Sequence, residues 1–251
     1  MTRRRWIADE FSDNNAALTG THADHLIRVL RARVGQEFDI AAGTLVRRGR
    51  ISKIDEQRVE FELGEEVPAM GAARLTVVLS IFKFDRMEWA IEKCTELGVS
   101  RIVPLIARRT DTHLATASTK RSERWGRIAV QAAEQSRRAG PLEIAAPIKL
   151  SDVPKMAAGG LRIVLSETEQ HSFLRDVLAS DSQQEITLAI GPEGGWTEDE
   201  LTFFQKSGWT SASLGPTVLR AETAAIAATA ITLAEYNRSL SSAFPPRENK
   251  P

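Results

Sequence analysis

The sequence predicts a two-part α/β chain, with a small β-rich module over residues 1–70 and an open, mostly parallel sheet interleaved with helices over residues 74–240. Three observations carry this reading. The first seventy residues hold short apolar runs with partial alternation, divided by turn residues. From Arg74 onward strand-like runs and helical patterns alternate, the sign of parallel pairing through crossover helices. Near the C-terminal end, two glycine–proline loops, I-G-P-E-G-G-W at 190–196 and L-G-P-T-V-L-R at 214–220, each follow an apolar run. The two loops are expected at the ends of two neighbouring strands, where an open α/β sheet builds its site.

In the first module, residues 38–40, 44–54 and 58–63 read as strands, separated by Gly43 and by Asp55-Glu56-Gln57. Residues 25–33 are predicted as a short helix stopped by Gly35. Residues 64–73, with Pro68 and Gly71, read as the linker. A strand is predicted at 75–82, then a helix that Asp85 is placed to cap, with Met87, Ala90, Ile91, Cys94 and Leu97 on one face and Gly98 at its end. Residues 101–106 form the next strand, and 118–138 a long basic helix with Trp125, Ile128 and Ala132 inward. Strands at 161–165, 186–190 and 211–214 complete the sheet. Thr197 with Glu200 three residues on is a capping box that starts a helix after the first glycine loop. A final helix runs from Glu222 to about Tyr236, and residues 241–251 read as a flexible tail.

Composition narrows the function classes. With 42% hydrophobic and 26% charged residues the chain reads as soluble and globular. No apolar run approaches the roughly 20 residues a membrane helix needs, and M-T-R-R-R-W lacks the apolar stretch of a secretory signal. No membrane association is expected, and the cytoplasm is the expected compartment. One cysteine and four scattered histidines leave no intrachain disulfide and no metal-ligand cluster, so no metal is expected. Cys94, on the apolar face of its helix, reads as a core thiol.

Net charge is zero, which argues against a wholesale polyanion binder. Residues 71–145 nevertheless carry 13 Lys/Arg against 8 Asp/Glu, a net of +5, with Arg108, Arg109, Lys120, Arg121, Arg124, Arg127, Arg137 and Arg138 concentrated in one stretch. Alone, such a run is a solvated helix face. Together with Arg28, Arg31, Arg33, Arg47, Arg48 and Arg50 it supports a two-part RNA footprint.

Neither glycine loop carries a dinucleotide or P-loop fingerprint, so phosphate is not the expected ligand. G-P-E-G-G-W followed some twenty residues later by L-G-P-T-V-L-R-A-E-T-A closely resembles the signature of the bacterial 16S rRNA uracil-N3 methyltransferases, members of the SPOUT class. The block H-L-I-R-V-L-R at 25–31, K-F-D-R-M-E-W-A-I-E-K-C-T-E-L-G-V at 83–99, and Glu134-Gln135-Ser136 with Arg138 and Pro141 resemble further family blocks in the same order. Ala221 stands where the family usually has Thr.

The resemblance implies a C-terminal trefoil-knotted methyltransferase domain after a PUA-like RNA-binding β-barrel, and a homodimer acting on 16S rRNA or the small ribosomal subunit. It implies S-adenosylmethionine as cofactor, held by Leu165, Ser166 and Glu167, by Ile190, Gly191, Pro192, Glu193 and Gly194, and by Leu214 and Gly215 with Leu219, Arg220, Thr223 and Ala224. Arg220 and Glu222 are the expected catalytic pair, Arg220 favouring an anionic uracil or gripping a phosphate, Glu222 orienting Arg220 or accepting a proton; an ion pair that merely caps the last helix is the structural alternative. His25, Arg28, Arg31, Arg109, Arg121, Arg124 and Arg138 are the expected RNA contacts, with barrel packing equally open to His25. Trp196 is open to base stacking or, more commonly for such a residue, to packing. Ala224, Ala225, Ala227, Ala228 and Ala230 allow close helix contact, either between copies or within one core. A ribose 2′-O-methyltransferase of the same class and a non-catalytic RNA-binding assembly factor are the competing readings.

Overall fold

The structure, a computed structural model, describes residues 5–42, 45–67, 74–136, 138, 140–156, 160–179 and 185–243. The chain divides into two compact units: residues 1–71 with 130–141, and residues 72–129 with 142–251. The stretch 130–141 therefore groups with the N-terminal unit rather than with the domain expected over 74–240. The expected linker overlaps the end of the last N-terminal strand at 64–66, and residues 68–73 lie outside the described residues.

The N-terminal unit contains β1 (Arg5–Ile7), β2 (Glu10–Phe11), β3 (Asn15–Thr19), α1 (Gly20–Asp24), a π-helical turn (His25–Val29), β4 (Glu37–Ala42), β5 (Leu45–Asp55) and β6 (Arg58–Glu66). Its sheet has the order β1-β4-β5-β6-β3-β2. Only the β1–β4 pair is parallel. Period-2 patterning explains the core: Val59, Phe61 and Leu63 turn inward along β6 while Glu62 stays exposed. They pack with Leu18, Ile40 and Ile51, and Phe38 meets Phe61 edge-on at 6.4 Å between ring centroids. β1 to β3 escaped the sequence reading because each offers only two to five residues of weak alternation. The helix expected over 25–33 is instead α1 followed by the π-helical turn, which stops at Val29. Arg31 then takes φ 50°, so the chain has already left the helix before Gly35.

The second unit holds β7 (Arg74–Ser80), α2 (Phe84–Leu97), β8 (Arg101–Ile106), α3 (Thr112–Gln135, its residues to Ala129), β9 (Glu143–Ile144), β10 (Ile148–Lys149), a 3-10 turn (Leu150–Asp152) and α4 (Val153–Met156). β11 (Leu161–Leu165), α5 (Leu174–Ala179), β12 (Glu185–Ile190), α6 (Glu198–Lys206), β13 (Thr210–Ala212) and α7 (Ala221–Ala243) follow. The sheet order is β10-β8-β7-β12-β11-β13, with β9 beside β8. Every pair is parallel. Leu75, Val77, Leu79, Ile163, Leu165, Leu188 and Ile190 face one layer, with Met87, Ile91 and Cys94 of α2 and Ala225 and Ala228 of α7. Val78, Val103, Val164 and Ala189 face the other, with Phe204 of α6 and Trp209. Both faces are covered, which is why these strands read as continuous apolar runs rather than as alternation.

The two glycine loops do not follow neighbouring strands. β11 lies between β12 and β13 and pairs in parallel with both. Sequence order cannot reveal such an insertion. Smaller corrections have local causes. No side chain caps α2; Lys83 is its N-cap, and Asp85 sits in the first turn, where a negative charge favours the helix dipole. Thr95 replaces Leu97 on its buried face, Leu97 being 39% exposed. Gly98, at φ 116°, closes the helix in a conformation that penalises any side chain.

α3 begins at Thr112, before the expected 118, because Asp111 Oδ1 accepts hydrogen bonds from His113 N at 2.7 Å and Leu114 N at 3.3 Å. It stops at Gln135, and Arg137 lies outside the described residues. The Thr197–Glu200 capping box forms with both reciprocal bonds. β13 ends at Ala212, so Ser213 and Leu214 already belong to the exit. α7 continues to Ala243, so 241–243 are helical rather than tail, and 244–251 lie outside the described residues. Ala225 and Ala228 are fully buried within this chain's core, whereas Ala230 is exposed.

Cys94 Sγ lies 3.6 Å from Thr229 Oγ1 of α7, and burial pushes its thiol up to about 11. The unfolded chain releases the same proton near pH 9.0. Above that pH the unfolded state is favoured, and the loss of stability levels off once the folded thiol also titrates. Wild type should thus lose about 2 kcal/mol more than Cys94→Ala between pH ~8 and pH ~11. Urea unfolding of both proteins at the two pH values measures the difference; equal losses would contradict a buried neutral thiol.

Candidate functional site

Because β11, β12 and β13 run parallel, their C-terminal ends open on the same edge of the sheet. The three exits and the start of α7 line a cleft that is open to solvent on one side. Leu165, Ser166 and Glu167 line it from β11; Ile190, Gly191, Pro192 and Glu193 from β12; Leu214, Gly215 and Leu219 from the β13 exit; and Ala224 from α7. These are residues the sequence reading assigned to cofactor. Gly194, Arg220 and Thr223, assigned with them, do not line the cleft. Gly195, Ser213, Thr217, Val218 and Ala221 line it and were missed. Gly195 and Thr217 had a sequence signal, since they lie inside the two loops; Ser213 became visible only once the strand was seen to end early.

Local bonds hold the exits together. Trp196 is 5% exposed and its Nε1 donates to Leu165 O at 2.9 Å, joining the β12 loop to the end of β11. Its ring packs on Phe204 at 5.0 Å between centroids. Packing therefore accounts for Trp196, and stacking on a base does not. Gly195 N donates to Pro192 O at 2.8 Å, closing the turn. Gly195 has φ 70°, a conformation that favours glycine, and a Cβ there would displace the Glu167 carboxylate. Arg109 Nη1 donates to Gly194 O at 2.6 Å, which ties the β8 exit to the same loop. Glu200, buried at the start of α6, accepts from Arg108 N at 2.7 Å through Oε1 and from Thr197 N at 2.8 Å through Oε2. On the remaining wall, Ser166 Oγ and Thr168 Oγ1 share a hydrogen bond of 2.8 Å, and Ser213 Oγ accepts from Gly215 N at 3.2 Å.

The expected catalytic pair is not a pair. Arg220 is exposed and, among the described residues, has no ion-pair partner. Glu222 is 4% exposed, and its Oε1 lies 3.7 Å from Arg86 Nε. Arg86 also donates from Nη1 to Glu193 Oε1 at 2.6 Å. Both the orienting contact and the helix-capping ion pair expected between Arg220 and Glu222 are therefore replaced by a contact from α2. Arg86 was missed because it lies more than a hundred residues from both carboxylates in sequence.

The expected RNA contacts divide into free and engaged groups. In the N-terminal unit His25 is exposed, with its ring 5.5 Å from that of Trp6. Arg28 is 75% exposed and 3.4 Å from Asp24, and Arg31 is exposed. Arg138 groups with this unit and is partly buried, which lowers its pKa. In the same unit His22 stands between Asp9 at 2.9 Å and Glu134 at 3.1 Å, and burial raises the Glu134 carboxyl against the pull of His22. In the second unit Arg124 grips Glu88 with Nε at 2.7 Å and Nη2 at 2.9 Å. The bond to Glu88 raises the Arg124 pKa. Arg121 reaches Glu88 at 3.3 Å and lies 4.8 Å over the Phe84 ring. Arg109, Arg121 and Arg124 thus have intramolecular partners, while Lys120 and Arg127 remain exposed. Among the described residues no group of three or more His, Cys, Asp and Glu is placed to hold a metal ion. No helix among them is long and apolar enough to cross a membrane.

The family description "RNA methyltransferase domain" matches residues 70–233. The chain is 34% identical over 249 residues to the ribosomal RNA small subunit methyltransferase E of Synechocystis sp., covering 96% of this chain and 79% of that relative. It is 33% identical to the protein of the same name from Rickettsia conorii, covering 90% and 93%. Its fold superposes with a TM-score of 0.79 on the ribosomal RNA small subunit methyltransferase E of Neisseria gonorrhoeae bound to S-adenosyl methionine. That chain is 28% identical, with 92% of this chain and 97% of that one covered.

Trp196→Phe should keep the aromatic packing and delete the bond to Leu165 O. A cost of about 1–2 kcal/mol is expected for leaving that carbonyl unpaired, which lowers the melting temperature by roughly 2–8 °C. Thermal unfolding with unchanged circular dichroism checks this, and an unchanged midpoint would mean that the bond does not hold the loop.

Proposed function

This chain belongs to the RNA methyltransferase family, and on that premise we propose that it methylates N3 of a uridine in 16S rRNA of the small ribosomal subunit, using S-adenosylmethionine. The observation that carries the reading is the cleft at three parallel strand exits, whose position matches the loops carried over from the signature. Its donors and acceptors fit that cofactor. Backbone amides and carbonyls and the hydroxyls of Ser166 and Ser213 can hold a neutral nucleoside, and no lining residue is Lys, Arg or His, as a polyphosphate would require. Leu165, Ile190, Leu214 and Leu219 supply apolar wall.

When bound, the cofactor supplies the methyl group as an electrophile, so neither a metal nor a protein nucleophile is needed. The protein's contribution is placement. Uracil N3 is occupied in a base pair, so the target must be unpaired or flipped outward before it can enter the cleft. Arg220, beside the mouth and without an ion-pair partner among the described residues, is available to a phosphate or to the base as its N3 proton leaves. Glu222, on the first turn of α7, offers a buried carboxylate as the candidate to accept that proton. Ala221 lines the cleft without a hydroxyl, so any contact that Thr makes at this position in other members is absent here.

We further propose that the second unit contains the trefoil knot, that the N-terminal unit is a PUA-like RNA-binding module, and that the protein works as a cytoplasmic homodimer. The resemblance supports all of these. Ala225 and Ala228 are buried inside one chain, so a dimer contact through α7 would use its other face, where Ala230 is exposed. Sedimentation at twice the 27.7 kDa chain mass is the expected result.

Nucleoside analysis tests the function directly. Small-subunit RNA from cells lacking the gene should lack one 3-methyluridine, and purified protein with S-adenosylmethionine should restore it. A 2′-O-methylated product would select the ribose-modifying alternative. No methylation of free RNA or of assembled subunits would select the non-catalytic one.

The exposed arginines of the N-terminal unit also make a prediction. Arg28→Glu with Arg31→Glu should weaken RNA binding and reduce its salt dependence by about two counterions. Cofactor affinity should be unchanged. Titrations at several salt concentrations would place the RNA elsewhere if the slope did not move.

A further inference from the structure

Arg86 stands on the first turn of α2 and touches two carboxylates from distant parts of the chain. Its Nη1 holds Glu193 Oε1 of the β12 glycine loop at 2.6 Å, and its Nε faces Glu222 Oε1 at 3.7 Å. Glu193 lines the cleft, and Ala221 and Ala224, on either side of Glu222 in the first turn of α7, line it too. The remaining oxygen of Glu222, Oε2, is buried without a hydrogen-bond partner. An unsatisfied buried carboxylate oxygen is unfavourable, and an incoming donor would complete it.

We propose that Arg86 is a positioning residue of the methyl-transfer reaction, a single guanidinium that links the glycine loop to Glu222 and so sets where the free oxygen of Glu222 points when the cleft fills. The inference rests on the methyltransferase reading and deepens it. A purely structural pair would explain the Glu193 contact, since solvent-facing ion pairs are common and add little to stability. It does not explain why the same guanidinium turns its Nε toward a carboxylate that is 4% exposed and whose Oε2 has no hydrogen-bond partner among the described residues. A rigid guanidinium can hold two acceptors in fixed relation, which the single flexible ammonium of lysine does not reproduce. Movement of the loop at Glu193 is thereby transmitted to Glu222 without Arg86 touching the substrate.

The test uses the full-length protein, S-adenosylmethionine and small-subunit RNA, with Arg86→Gln, Glu222→Gln, Glu193→Gln and the double variant Arg86→Gln/Glu222→Gln. Under single-turnover conditions at saturating cofactor, Arg86→Gln is expected to slow methylation roughly 30-fold or more while cofactor affinity changes less than about fivefold. Glu193→Gln, which removes the charge that holds the loop to Arg86, should be slowed by roughly tenfold. The double variant should be no slower than the slower single variant, because the two residues act as a unit. It also removes the unpaired buried charge, so it reports on the unit even if Arg86→Gln alone folds poorly.

Hydrogen exchange provides a readout that needs no turnover: amides 191–195 and 222–225 should both exchange faster in Arg86→Gln. A rate within twofold of wild type, a loss explained wholly by cofactor affinity, multiplicative effects in the double variant, or unchanged exchange at either segment would each overturn the proposal. Wild-type protein that methylates no RNA would overturn the functional reading instead. The exchange and cofactor-affinity measurements would then decide whether Arg86 links the loop to α7.

Discussion

Parallel pairing of β11 with both β12 and β13 is the constraint on which the site depends. Hydrogen bonding in one direction brings three C-terminal strand ends to a common edge, although they come from segments separated by whole helices. Each exit then needs only a short irregular stretch to reach the cleft. The indole of Trp196 secures the arrangement by binding Leu165 O, so the β12 loop and the β11 exit cannot move independently. Gly195 is the geometric consequence: the turn that brings Trp196 home needs a positive φ at this position.

Charge in this protein is distributed by partner rather than by count. The basic stretch around α3 reads as an RNA surface, yet Arg121 and Arg124 both converge on Glu88, and Arg109 holds the Gly194 carbonyl. An arginine with a bidentate partner contributes less field to an approaching phosphate than an unpaired one. The electrostatic attraction proposed for RNA therefore rests more on the exposed Arg31 and Lys120, and on Arg28 and Arg127, whose ion pairs with Asp24 and Glu123 are long and exposed at 3.4 and 4.0 Å, than on the clustered run. Arg31 holds an unfavourable positive φ just after a π-helical turn. Such local distortions concentrate at functional positions, in keeping with the role proposed for this segment.

Inside the second unit, opposite charges serve geometry. Glu200 satisfies both its own helix start and the backbone of Arg108, and so connects α6 to the β8 exit. Arg86 reaches across from α2 to the glycine loop and to α7. The helices that cover the sheet thus also carry the side chains that hold its loops, and packing and site geometry are set by the same elements.

Sequence by itself determined the parts of this protein that depend on local chemistry. Apolar runs at 101–106 and 161–165 became strands at those limits. The Thr197–Glu200 box capped its helix, Gly98 ended another, and Cys94 went into the core. These outcomes follow from side-chain type, spacing and backbone preference within a few residues. Most of the cleft was legible as well, because its walls are contiguous loop segments that the signature marks. Only the tertiary structure decided the rest. The insertion of β11 between two strands, the replacement of Arg220 by Arg86 as the partner of Glu222, and the capture of Arg109, Arg121 and Arg124 by internal acceptors all join residues far apart in the chain. The physical reason is that a charge or a strand edge takes whichever partner the folded chain brings within reach, and the order of residues does not specify that distance.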